Sequence, residues 1–71
     1  MRKKLIEVRK KKGFTQEDMA NKLNIARTTY TGYELGTFSP SLDMAIKIKK
    51  LLNYKNDDIF LISNDSETNG M

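Results

Sequence analysis

Residues 15–36 read Thr-Gln-Glu-Asp-Met-Ala-Asn-Lys-Leu-Asn-Ile-Ala-Arg-Thr-Thr-Tyr-Thr-Gly-Tyr-Glu-Leu-Gly, and this stretch decides the fold. Its start carries three helix-opening signals. Thr15 is a good N-cap, Asp18 stands three residues on in an acidic variant of the capping box, and Glu17 and Asp18 suit the positive helix end. Phe14 and Met19 occupy the two positions of a hydrophobic staple. Met19, Ala20 and Leu23 then supply one inward face, and Asn24 can take the left-handed conformation that ends a helix. A second helix runs over about 26–35 and stops at Gly36. Two short helices joined at Asn24-Ile25 predict a helix-turn-helix shape.

The second helix divides cleanly on a wheel turned at about 100° per residue from Arg27 at 0°. Ala26, Thr29, Tyr30 and Tyr33 fall between roughly 200° and 300°, which makes the arc with both aromatics the core face. Arg27, Thr28, Thr31, Gly32 and Leu35 fall between roughly 0° and 140°. This outward arc holds no acidic side chain, as a phosphate-flanked major groove requires. Ordinary solvated surface would look the same on the wheel.

Outward from this centre the chain reads as three further helical segments. Residues 2–12 place Leu5 and Val8 at a helical step among charges, and Gly13 ends the segment. The string Thr37-Phe38-Ser39-Pro40 is a loop, because proline removes a donor and pushes its predecessor out of the α region. Ser41 can cap a fourth helix with Asp43 in its first turn, running through Leu42, Ala45, Ile46, Ile48 and Leu52 until Asn53 closes it. Its inward arc is expected at Leu42, Ala45 and Leu52, with Met44 and Leu51 pointing away. Asn56 is expected to cap a last short turn holding Ile59 and Phe60. Residues 1–62 thus form one domain, and residues 63–71 are expected to be a flexible polar tail with too little apolar surface to order itself.

Composition closes several doors. A chain of 71 residues holds one domain at most, and its core is marginal. Cysteine and histidine are both absent, which removes disulfides, thiol nucleophiles, imidazole bases and the usual structural zinc sites. Apolar runs of three or four residues fall far short of the roughly 18 that a membrane span needs, and the basic start lacks the apolar stretch of a secretory signal. A cytoplasmic location is the expectation. All thirteen bases but only seven of the nine acids precede residue 61, so residues 1–60 carry a net +6. Seven of those bases (Arg2, Lys3, Lys4, Arg9, Lys10, Lys11, Lys12) lie in the first twelve residues. A compact basic domain suggests an anionic partner, nucleic acid before membrane, against the plainer reading of a solvated helix face.

The run from Thr15 to Gly36, followed by Ser39-Pro40-Ser41-Leu42, resembles the helix-turn-helix of phage repressors and Cro proteins, shared by bacterial regulators of the xenobiotic-response-element type. The resemblance spans about Leu5 to Phe60. It rests on Arg9 in helix 1, Gln16 opening helix 2, Ala20 at the helix crossing, and Glu34-Leu35-Gly36 ending helix 3. It implies an all-α, lambda-repressor-like bundle of five short helices that binds double-stranded DNA in a sequence-specific way. The implied regulator is a small Cro-like repressor that binds a palindromic operator as a homodimer with helix 3 in the major groove, and the lack of a second domain suggests a phage or mobile-element origin.

Residue roles follow from the same resemblance. Arg27, Thr28 and Thr31 match base-reading positions. Arg27 leads because guanidinium can bond guanine O6 and N7 together, and Thr28 can bond a base edge or lay its methyl on that of thymine. Gln16 resembles a phosphate-binding glutamine at a helix N-terminus, and Thr29, Thr37 and Ser39 complete the backbone-contacting set. Arg9 and Glu34 resemble an ion pair between helix 1 and the end of helix 3, a structural role. Three positions depart from the family pattern. Ala26 replaces the usual Ser or Thr cap of helix 3, Gly32 stands where a long polar side chain is common, and Lys49 replaces a small apolar residue so that its stem must snorkel.

Two rival classes remain for comparison. Enzyme chemistry fares badly, since the close acid pairs Glu17-Asp18 and Asp57-Asp58 sit where helix starts want negative charge, and the glycines are scattered singly. No cofactor or metal is expected. An antitoxin or other protein-interaction module on the same fold is the alternative to a stand-alone regulator. For the homodimer, Met44, Leu51, Ile59, Phe60, Leu61 and Ile62 are the expected contact residues.

Overall fold

A computed structural model describes residues 1–62, so the expected tail lies outside the described residues. Helix α1 spans Lys3–Lys11, α2 Gln16–Leu23, α3 Arg27–Leu35 and α4 Leu42–Leu52, and a single 3₁₀ turn covers Asp57–Phe60. The fold is all-α, as read from the sequence. The fifth expected helix is only this 3₁₀ turn.

Local chemistry sets the helix ends. Thr15 Oγ1 accepts from the Asp18 N–H at 3.0 Å, and the Asp18 carboxylate accepts from the Thr15 N–H at 2.8 Å, which completes the capping box. Hydrogen bonding from the Thr15 N–H first, and then from the Thr15 hydroxyl, lowers the Asp18 carboxyl from its ordinary value. Ser41 Oγ accepts from the Met44 N–H at 3.1 Å and caps α4. Asn24 (φ 59°), Gly36 (φ 89°) and Asn53 (φ 52°) end their helices in the left-handed region. Ala26 makes no side-chain cap to α3, and neither does Asn56 to the 3₁₀ turn, contrary to the capping role expected of Asn56.

The core gathers Leu5 and Val8 of α1, Met19, Ala20 and Leu23 of α2, Tyr30 and Tyr33 of α3, Ile48 and Leu52 of α4, and Ile59. Tyr30 and Tyr33 meet edge to face, with ring centroids 6.2 Å apart. Helix α4 is rotated from its expected setting. Leu42 is 77% exposed, whereas Met44 and Leu51 pack against the core. Seven apolar residues among the eleven of this helix leave its inward face to be settled by packing rather than by pattern. Ala26, placed on the core arc of α3 by the wheel, is exposed because it lies before the first helical turn. Lys49 behaves as expected: its stem is partly covered and its Nζ reaches the Asp57 carboxylate at 2.6 Å.

Candidate nucleic-acid interface

The sequence presents α3 on one side of the molecule by burying Tyr30 and Tyr33 on the other. A shallow surface groove results. Its lining includes Gln16 from α2, Arg27, Thr28, Thr31, Gly32 and Leu35 from α3, and Thr37 and Phe38 from the following loop. All three residues expected to read bases lie here, and so do Gln16 and Thr37. Thr29 is half-buried and Ser39 is exposed, and neither lines the groove. Ser39 instead accepts a hydrogen bond from Arg2 Nη2 at 3.3 Å.

A buried polar chain supports the groove from beneath. Arg9 Nε donates to Glu34 Oε2 at 2.5 Å and Arg9 Nη2 to Glu34 Oε1 at 3.3 Å. Both residues are buried, Glu34 almost completely. The expected ion pair between helix 1 and the end of helix 3 is therefore present, in bidentate form. Gln16 Nε2 donates to Glu34 Oε1 at 2.8 Å, and Thr31 Oγ1 donates to Gln16 Oε1 at 3.0 Å. The chain Arg9–Glu34–Gln16–Thr31 fixes the α2 amide and an α3 hydroxyl before any ligand arrives. Thr31 spends its hydroxyl proton on Gln16, so it faces outward as an acceptor and a methyl. The Tyr30 hydroxyl is buried beside this pair without a well-formed hydrogen bond. Burial first, and then the Glu34 carboxylate, push its ionisation far above the ordinary tyrosine range, so it stays a neutral phenol.

The cations divide into two groups. Arg2 and Arg9 are buried and serve the fold, which removes two of the seven bases counted near the start. Lys10 is exposed and lines a second hollow with Thr15, Gln16, Arg27 and the acidic Glu17, at the N-terminus of α2. A phosphate placed there meets the helix dipole and the cations Lys10 and Arg27, set against the Glu17 carboxylate. Lys10 was one among a run of lysines in the sequence, with nothing local to single it out. Phe38, which also lines the first groove, reads in the sequence only as part of a loop. The described residues hold no cluster of acids that could bind a metal and no helix long and apolar enough to cross a membrane.

The helix-turn-helix family profile matches residues 5–59. An uncharacterized HTH-type transcriptional regulator of Methanocaldococcus jannaschii is 42% identical over 65 residues, covering 92% of this chain and 98% of the relative. The cryptic phage CTXphi transcriptional repressor RstR of Vibrio cholerae is 35% identical over 66 residues, which are 93% of this chain and 57% of that repressor. The HTH-type transcriptional regulator ImmR of Bacillus subtilis is 36% identical over 63 residues, which are 89% of this chain and 48% of the relative. No solved structure matches significantly.

Proposed function

We propose that this chain, which belongs to the helix-turn-helix family of DNA-binding transcriptional regulators, acts in the cytoplasm as a small Cro-like repressor on a palindromic operator. It is not an enzyme. The observation that carries the reading is the gathering of Gln16, Arg27, Thr28, Thr31 and Thr37 around one groove with no acidic side chain in its lining. In this reading α3 enters the major groove. Arg27 bonds guanine O6 and N7, Thr28 and Thr31 complete the base contacts, and Gln16, Thr37 and Lys10 hold phosphates. Thr29 and Ser39 stand at the margin of that footprint and contribute less. RstR, whose name describes a phage transcriptional repressor, supports the phage or mobile-element assignment.

Selection of bound duplexes from a random DNA pool, followed by titration at several salt concentrations, tests the proposal. About six phosphate contacts per dimer give a slope near −5 for log affinity against log salt. A slope near zero would remove DNA from the account. Arg27→Ala should cost about 1–3 kcal/mol and relax preference at one base position in each half-site. Gln16→Ala should weaken specific and non-specific duplexes alike. Identical specificity profiles for the two variants would erase the distinction between reader and anchor.

Dimerisation is part of the same proposal, because one recognition helix spans too few base pairs to specify a site. The available surface differs from the expected one. Ile59 is fully buried within the monomer and cannot contribute, and Met44, Leu51 and Phe60 are already packed partly on the core. Leu61 (67% exposed) and Ile62 (49%) remain, while Leu42 and Ile46 on α4 add exposed apolar area. Sedimentation at micromolar concentration should give about twice the 8.2 kDa of one chain. Leu61→Asp should lower both dimer content and operator affinity without changing the monomer core. A protein that stays monomeric on its bound duplex refutes this part.

A further inference from the structure

Phe38 is the least expected feature of the groove. Its ring lies against the backbone of Gly32 so closely that a Cβ added there would stand 2.2 Å from Phe38 Cδ2. Two backbone bonds hold the residue in place. The Phe38 N–H donates to the Gly32 carbonyl at 3.2 Å, and its own carbonyl accepts from Arg2 Nη1 at 2.8 Å. Such anchoring normally accompanies a buried aromatic, yet Phe38 remains 49% exposed, and Leu35 beside it in the groove is 51% exposed. The loop is therefore fastened so as to display an apolar face among the proposed base-reading side chains. A single exposed apolar residue on a surface means little. Here the ring lies on Gly32 while hydrogen bonds hold its backbone at both the N–H and the carbonyl, and the room for it exists only because residue 32 has no side chain.

The chemistry of the partner follows if α3 lies in a major groove. The walls of that groove are phosphates and its floor is mostly polar, but each thymine presents one apolar group, the C5 methyl. We propose that Phe38, seated on Gly32 and flanked by Leu35, is a specificity-determining residue that recognises a thymine methyl within each half-site. This rests on the DNA-binding reading above. Gly32 thereby replaces a side-chain contact of its own with a platform for a neighbouring ring. The occupant is DNA rather than a second protein copy, because the ring shares its groove with Arg27 and no acidic residue lines it.

The test uses the full chain and the duplex enriched from a random pool, prepared with thymine and again with single thymines replaced by deoxyuridine. Burying one methyl is worth about fourfold in affinity. The unaltered protein should therefore lose about fourfold for each half-site when one particular thymine is replaced. Phe38→Ala should bind the two duplexes alike and at the weaker level, whereas Arg27→Ala should keep the methyl sensitivity. Gly32→Ala serves as a second variant, since it favours the helix and displaces the ring rather than the fold. It should lose methyl discrimination while circular dichroism shows the helical fold retained. An enriched duplex bound equally well with and without methyls overturns the inference alone, as does methyl sensitivity surviving in Phe38→Ala. A Phe38→Ala protein that instead loses its dimer assigns the ring to a protein contact and overturns it too. Failure to enrich any duplex overturns the DNA reading, and this inference with it.

Discussion

Glu34→Gln is expected to destabilise the domain by about 3–5 kcal/mol, the range for breaking a buried ion pair from one side. Glu34 is buried, and its two carboxylate oxygens accept from both Arg9 and Gln16. The neutral amide cannot balance the Arg9 guanidinium, which stays buried without the carboxylate it pairs with among the described residues. Natural domains hold only about 5–15 kcal/mol in total, so the loss is a large share. In a domain of this size it corresponds to a fall in the melting midpoint of about 12 °C or more. Replacing both partners, as Arg9→Met with Glu34→Leu, should recover much of that stability because no buried charge is left unopposed. It should not restore DNA affinity, since Gln16 would lose the acceptor that sets its amide. A midpoint unchanged in Glu34→Gln would show that water reaches the pair.

These contacts separate what was legible in the sequence from what was not. The capping box of Thr15 and Asp18 and the left-handed residues Asn24, Gly36 and Asn53 depend on neighbours within a few residues, so local chemistry specifies them. The polar groove residues were legible because two buried tyrosines fix the rotation of α3, leaving Arg27, Thr28 and Thr31 outside. Helix α4 is amphipathic too, but its apolar arc is broad. Its apolar residues spread over roughly 220° of the wheel, and docking against the core selects Ile48 and Leu52 within that arc as the buried side. Gly32 and Phe38 are six residues apart on either side of a left-handed turn, so no helical period connects them. The wheel accordingly placed Gly32 in the open when it lies beneath a ring.

Arg2 is the furthest from local reading, and Arg2→Met should cost about 3 kcal/mol through the loss of several charge-assisted hydrogen bonds. Its guanidinium donates to the carbonyls of Tyr33 at 2.7 Å, Phe38 at 2.8 Å and Phe60 at 2.9 Å, besides the Ser39 hydroxyl. Its backbone N–H donates to the Glu34 carbonyl at 2.7 Å. The Tyr33 and Glu34 carbonyls belong to the last turn of α3, where the helix cannot satisfy them itself and where positive charge is favoured. Arg2 therefore caps α3 from another element and ties that end to the loop carrying Thr37 and Phe38. Met can fill much of the space but donates nothing, leaving those carbonyls to find water. Arg2→Lys should recover only part of the loss, because an ammonium is a point charge that cannot span acceptors arranged around a planar fork. Thermal melts give the stability change, and duplex binding well below the melting midpoint gives the second readout. There the Arg2→Met protein should bind more weakly although no proposed DNA contact has been removed, because the Phe38 loop has lost its anchor. Unchanged affinity in a folded Arg2→Met protein would mean that Gly32 and the backbone bond alone hold the ring in place.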